Sequence, residues 1–113
     1  MDLLPGTLDL LILRALKWEP THGHGVAQWL RMVTDGAVVL DEGTLRPAVY
    51  RLERRGLIAG EWGPSEKNRR ARHYQLTPLG RQRFREESDR WGRYAEMMDR
   101  VLSYGTTGAI RGR

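Results

Sequence analysis

Three histidines and no cysteine set the first limits on what chemistry this 113-residue chain can carry. His22 and His24, in "THGHG", stand one residue apart and could begin a metal site. No thiolate is available, and the carboxylates have no matching spacing to supply a third ligand, so metal ligation is not expected. Gly23 and Gly25 instead permit a tight entry to a helix, with the two imidazoles hydrogen-bonding locally at its start. No Ser/His/Asp spacing, phosphate-cradling glycine motif or close carboxylate pair stands out, so neither an enzyme nor a bound cofactor is expected. A small metal-dependent hydrolase around His22 and His24 is the rival reading that metal analysis of the purified protein tests.

The chemistry that does stand out is cationic. "SEKNRRARHYQL", residues 65–76, holds four positive side chains between Lys67 and Arg72 with no acid among them. It follows "GTLRPAVYRLERRG", in which Arg46, Arg51, Arg54 and Arg55 recur. The charge is a patch. Residues 1–45 carry a net −3, residues 46–72 a net +5 from eight basic against three acidic side chains, and residues 73–113 a net +3. Such a patch can bind a polyanion. Guanidinium forks hold phosphates or take the O6 and N7 edges of guanine in the major groove. The candidate DNA contacts are Thr44, Arg46, Tyr50, Arg51 and Arg54 in the first segment and Lys67, Asn68, Arg69, Arg70 and Arg72 in the second. A solvated charged face is the plainer reading of each segment alone; their adjacency in the chain favours one duplex meeting both.

The elements that must position these residues follow from periodicity and punctuation. Thr7 is placed to cap a first helix with Leu8, Leu11, Ile12 and Ala15 on one side, closed by Pro20. A second helix carries Val26, Trp29, Leu30 and Val33 and ends at Gly36, a left-handed cap. Val38 to Leu40 reads as a short strand. A third helix buries Leu45, Ala48, Val49 and Leu52, with Pro47 near its start, and at 100° per residue its opposite arc holds the arginines and Tyr50. "LIAGEW" and "RARHYQL" form a hairpin around "GPSEKN".

Thr77 and Pro78 open a fourth helix reaching about Leu102. Its residues Phe84, Trp91, Ala95, Met98 and Leu102 have the near-3.5 spacing of a helix–helix seam. At about 37 Å it outreaches the domain that precedes it, so a homodimer through that seam is expected. The tail "SYGTTGAIRGR" reads as disordered. The resulting division is residues 1–77 for DNA binding, 78–104 for dimerisation and 105–113 for the tail. The fold class is mainly α with a small β-hairpin (α+β), a winged helix-turn-helix with a long C-terminal helix. The N-terminal apolar run is too short to span a membrane and lacks a basic leader, so a cytoplasmic protein with no membrane partner is expected. The four tryptophans raise the idea of a pocket for a small aromatic effector, although core or seam is the better reading of each.

At "LPGTLDLLILRAL", "HGHGVAQWL", "GTLRPAVYRLERRGLIAGEW" and "NRRARHYQLTPLGR" the chain resembles the PadR family of bacterial transcriptional regulators, over about Leu3 to Leu102. The resemblance implies a winged-helix repressor that dimerises through its C-terminal helix, binds an inverted repeat in promoter DNA, and in many members is released by a small molecule. Two positions depart from the family pattern: Arg46 stands where an aromatic residue is common, and His24 where tyrosine is. The rival to this reading is a winged-helix protein-interaction module whose fourth helix engages a different chain.

Overall fold

A computed structural model describes residues 2–64 and 69–105. In chain order the elements are α1 (Leu8–Ala15), β1 (Thr21–His22), α2 (Gly23–Val33), α3 (Glu42–Arg54), β2 (Ile58–Pro64), β3 (Arg70–Leu76) and α4 (Pro78–Ser103). Helices α1 to α3 and the root of the β2–β3 hairpin enclose one core. Ile12, Leu13, Leu16, Val26, Leu30, Val38, Leu45, Ala48, Val49, Leu52, Leu57, Ile58 and Leu76 are all buried there. The four apolar residues expected of α3 are its four buried residues. On α1 the buried side is rotated to Ile12, Leu13 and Leu16, because α2 and α4 both pack on that helix.

Local signals account for most boundaries. Asp41, not a residue of the "GTL" run, caps α3, its side chain accepting the Thr44 N–H at 2.8 Å. Pro47 therefore lies in the second turn of the helix rather than the first. His22 Nδ1 accepts the Gly25 N–H at 3.0 Å and so caps α2, the local role expected of this histidine. Gly36, at φ +84°, donates its N–H to the Arg31 carbonyl at 2.8 Å, the left-handed stop anticipated after α2. Thr7 does not act as a side-chain cap: its hydroxyl donates backward to the Leu4 carbonyl. Val33 is exposed, outside the α2 stripe, and residues 38–40 form no strand.

The sheet has one strand more than the hairpin alone. β3 is central, in the order β1-β3-β2, all antiparallel, with Thr21 opposite Tyr74 and His22 opposite His73. Two residues are too short a run for alternation to reveal, so β1 escapes sequence reading. β2 runs on to Pro64, which sits opposite Arg70 at the end of an edge strand, a position where proline is tolerated.

Helix α4 begins at a stapled corner. Thr77 caps it by accepting the Gly80 N–H at 2.9 Å, while its hydroxyl donates to the Gly56 carbonyl and its N–H to the Leu57 carbonyl. Gly80 lies so close that a Cβ there would sit 1.9 Å from the Leu57 carbonyl oxygen. Beyond this corner α4 runs out from the domain. The molecule measures 58 × 29 × 22 Å with a radius of gyration of 17.2 Å, against about 13 Å for a compact chain of this length. Phe84, expected in a dimer seam, belongs instead to the chain's own core at 9 % exposure, because it lies only two turns into α4 where the helix still rests on α1. No helix among the described residues is long and apolar enough to cross a membrane.

Candidate nucleic-acid interface

Helix α3 and the hairpin face each other across an open cleft of about 910 Å³. One wall is α3, through Leu45, Arg46, Val49, Tyr50 and Glu53; the other is the hairpin, through Trp62, Arg70, Arg72 and Tyr74. The register explains the second wall. Trp62 pairs with Arg72, Gly60 with Tyr74 and Pro64 with Arg70, and directly opposed residues share a face, so these side chains stand on the same side as the buried Ile58–Leu76 pair. Glycine at position 60 leaves Arg72 and Tyr74 room to lie across the strand; a Cβ there would come 2.7 Å from Arg72 Nε.

Arg46, Tyr50 and Arg54, spaced four apart, form an exposed stripe along α3, with the Arg54 guanidinium 5.6 Å from the Tyr50 ring centre. Arg46 is held by Glu42 one turn earlier at 3.0 Å, both side chains being largely exposed. Thr44 is also exposed, at the start of the same helix. Arg51 departs from the expected arc. A rotation of 100° from Tyr50 turns it toward α1, where its guanidinium meets Asp9 at 2.5 Å, with Arg55 meeting the same carboxylate at 3.6 Å.

On the hairpin, Arg70 is exposed and its guanidinium stands 5.1 Å from the Trp62 ring centre. Arg69 is exposed beside it. Lys67 and Asn68 lie outside the described residues. Arg72, expected among the DNA contacts, is committed elsewhere: its guanidinium donates to the Glu53 carboxylate on α3 and lies between the Trp62 and Tyr74 rings. The bond to Glu53 raises the Arg72 pKa above its ordinary value. Burial, with the Glu53 charge as a second cause, pushes the neighbouring Tyr74 phenol up, while the Arg46 and Arg72 charges oppose the rise. The Glu53–Arg72 pair is thus a strut across the floor of the cleft, tying the hairpin to α3.

Sequence reading missed Glu53, Trp62 and Tyr74. The alternation of "RARHYQL" placed Tyr74 on the face of Arg70 and Arg72, so that signal was present. For Trp62 the missing information was the strand register, and for Glu53 the angle between α3 and the hairpin. The three histidines do come together, His22 lying 6.2 Å from His24 and 5.3 Å from His73 between ring centres. Among the described residues no group of three or more potential ligands is arranged to hold a metal ion.

Three helices, a strand returning to the sheet, and a hairpin that flanks the exposed face of the third helix define a winged helix-turn-helix protein. Residues 12–86 match the model of the transcriptional regulator PadR-like family, and the chain belongs to that family. Its fold matches a transcriptional regulator from Clostridium thermocellum with a TM-score of 0.76 at 28% identity, over 84% of this chain and 92% of the other. A PadR family regulator from Eggerthella lenta matches with a TM-score of 0.72 at 30% identity, over 86% of this chain and 82% of that one. A PadR-like transcription factor from Bacteroides fragilis matches with a TM-score of 0.71 at 27% identity, over 85% and 90% of the two chains. An uncharacterized protein of Lysinibacillus sphaericus is 26% identical over 98 residues, 87% of this chain and 90% of its own length. The family and these neighbours make the chain a DNA-binding transcriptional regulator.

Proposed function

We propose that the chain is a homodimeric repressor of an inverted-repeat operator. In this reading α3 of each subunit enters a major groove, with Arg46 at a base edge and Tyr50 and Arg54 along the backbone. The wing holds flanking phosphates through Lys67, Asn68, Arg69 and Arg70. Residues 1–77 act as the DNA-binding unit. Residues 78–104 act as the dimerisation helix and set the half-sites about one DNA turn apart. A small-molecule effector that lifts repression is carried over from the family resemblance, and its aromatic character rests on the tryptophans alone.

The observation that carries the reading is the shared cleft: Arg46 and Tyr50 of the exposed α3 stripe and the cationic face of the wing look onto one space, so one duplex can meet both. Support for the dimer comes from α4, whose Trp91, Tyr94, Met97, Val101 and Leu102 expose between 41% and 69% of their surface, Trp91 and Tyr94 beside residues 5–10 and the others further out along the helix. Contiguous apolar surface of that kind marks an interaction face.

Selection of bound duplexes from a random pool at stated salt tests function and symmetry together. A recovered palindrome with half-sites near one turn is expected; a pool that never enriches refutes the reading. On the recovered operator, Arg46→Ala relaxes preference at one base pair. Arg69→Ala weakens all duplexes about equally and flattens the salt dependence by about one counterion.

A further inference from the structure

Trp62 is the largest side chain in the wing and is 59% exposed. It stands on the cleft side of β2, opposite Arg72, and shares the cleft with Tyr50 on the α3 wall. Two guanidiniums attend its ring, Arg70 at 5.1 Å and Arg72 at 5.7 Å. Arg72 is itself fastened to Glu53 on α3, so the side of the strand on which the indole stands is set with respect to the recognition helix. An indole left this exposed forgoes burial worth roughly 25 cal/mol per Å², and cation–π contacts at an exposed site return only about 0.5–1 kcal/mol. Those contacts return less than burial would, and the ring is left open on the cleft side to a surface that covers it on binding. The α3 wall thus presents Tyr50 and the hairpin wall Trp62 and Tyr74, each beside arginines, an arrangement that suits a chain of alternating sugars, bases and phosphates.

We propose that Trp62 is a direct DNA contact, its indole packing on a deoxyribose while Arg70 neutralises the adjoining phosphate. The proposal rests on the DNA-binding reading above and adds a non-electrostatic contact to it. A sugar contact is tolerant of sequence because the deoxyribose is the same whichever base it carries. Trp62 therefore contributes affinity without base preference. Since the indole carries no charge and displaces no counterion, it contributes nothing to the salt slope, which counts neutralised phosphates at about −0.9 each.

The test measures equilibrium binding of the wild type, Trp62→Ala, Trp62→Phe and Arg70→Ala to the recovered operator and to a scrambled duplex of equal length, across a salt series. Circular dichroism melts confirm that each variant is folded. Trp62→Ala is expected to weaken binding to both duplexes roughly 10- to 150-fold with the wild-type slope retained. Trp62→Phe keeps most of the affinity, and Arg70→Ala lowers the slope by about one. Wild-type affinity in Trp62→Ala overturns the proposal. So does a slope that falls together with the affinity, because the indole would then act only by arranging the arginines. A wild-type protein that enriches no duplex from the pool overturns the DNA-binding reading itself, and this contact with it.

Discussion

Replacing Gly80 with alanine sets two effects of known size against each other. In a helix interior the substitution ordinarily stabilises by up to about 1 kcal/mol. Here the new methyl would lie 1.9 Å from the Leu57 carbonyl oxygen and 2.9 Å from its carbon, where ordinary contact begins at 3.4 Å. Both partners are backbone, so no side chain can swing aside. The first turn of α4 must retreat by about 1.5 Å, the difference between the two distances. That retreat stretches the Thr77 N–H bond to Leu57 at 3.1 Å and the Thr77 hydroxyl bond to Gly56 at 2.7 Å. Overpacking costs about 1–3 kcal/mol and the two bonds about 1 kcal/mol each at most. The clash therefore wins by about 2 kcal/mol, or roughly 8–12 °C in Tm. Thermal melts at one fixed protein concentration measure it. Gly92→Ala is the matched control on the same helix, since a Cβ there meets no heavy atom within 4 Å among the described residues; its Tm should rise. A Gly80→Ala protein that melts at or above the wild type refutes the reasoning, and with it the view that α4 is pinned at the Gly56–Leu57 turn.

Three further predictions follow from other contacts. Glu53→Gln removes a negative charge from beside a DNA-binding cleft, so charge alone predicts tighter binding. The strut to Arg72 predicts several-fold weaker binding to every duplex, and gel-shift titration decides between the two. The Asp41 carboxyl is held below its ordinary value of 3.8, chiefly by the Thr44 N–H. A depressed folded-state value means that its contribution is complete above the unfolded value and disappears as pH falls through the folded one. Between about pH 5 and pH 2 the wild type should lose more Tm than Asp41→Asn, whose amide oxygen still accepts the cap bond but does not titrate. Leu102 is 69% exposed in the single chain, so Leu102→Asp leaves the lone subunit's stability unchanged. A dimer that buries this position would lose at least about 100-fold in association, read by sedimentation equilibrium; an unchanged dimer removes Leu102 from the seam.

Much of the fold was legible because its signals are local. The 3.6-residue periodicity of α3 named its four buried residues, Gly36 and Thr77 marked a helix end and a helix start, and the hairpin reads as two strands, although β2 takes in Gly63 and Pro64, which read as loop. The candidate interface was legible to the extent that it lies on one helix arc: Arg46, Tyr50 and Arg54 follow from a wheel. The ion-pair partners of Arg51 and Arg72 were not legible, because a wheel or an alternation gives a direction but not what stands there. Asp9, 42 residues before Arg51, and Glu53, 19 residues before Arg72, meet those arginines only once the helices have packed.

By itself the sequence determined that a basic helix and a basic hairpin follow one another, that the last helix is longer than the body it leaves, and that no thiol chemistry is available. Those are properties of residue type and short-range spacing, which the chain carries whether folded or not. Only the tertiary structure decided that helix and hairpin share one cleft, that Phe84 lies in the core while Leu102 lies in solvent, and that β1 joins the sheet. Each of these depends on pairing residues far apart in the chain, and such pairings are selected by the burial of the whole core rather than by any segment alone.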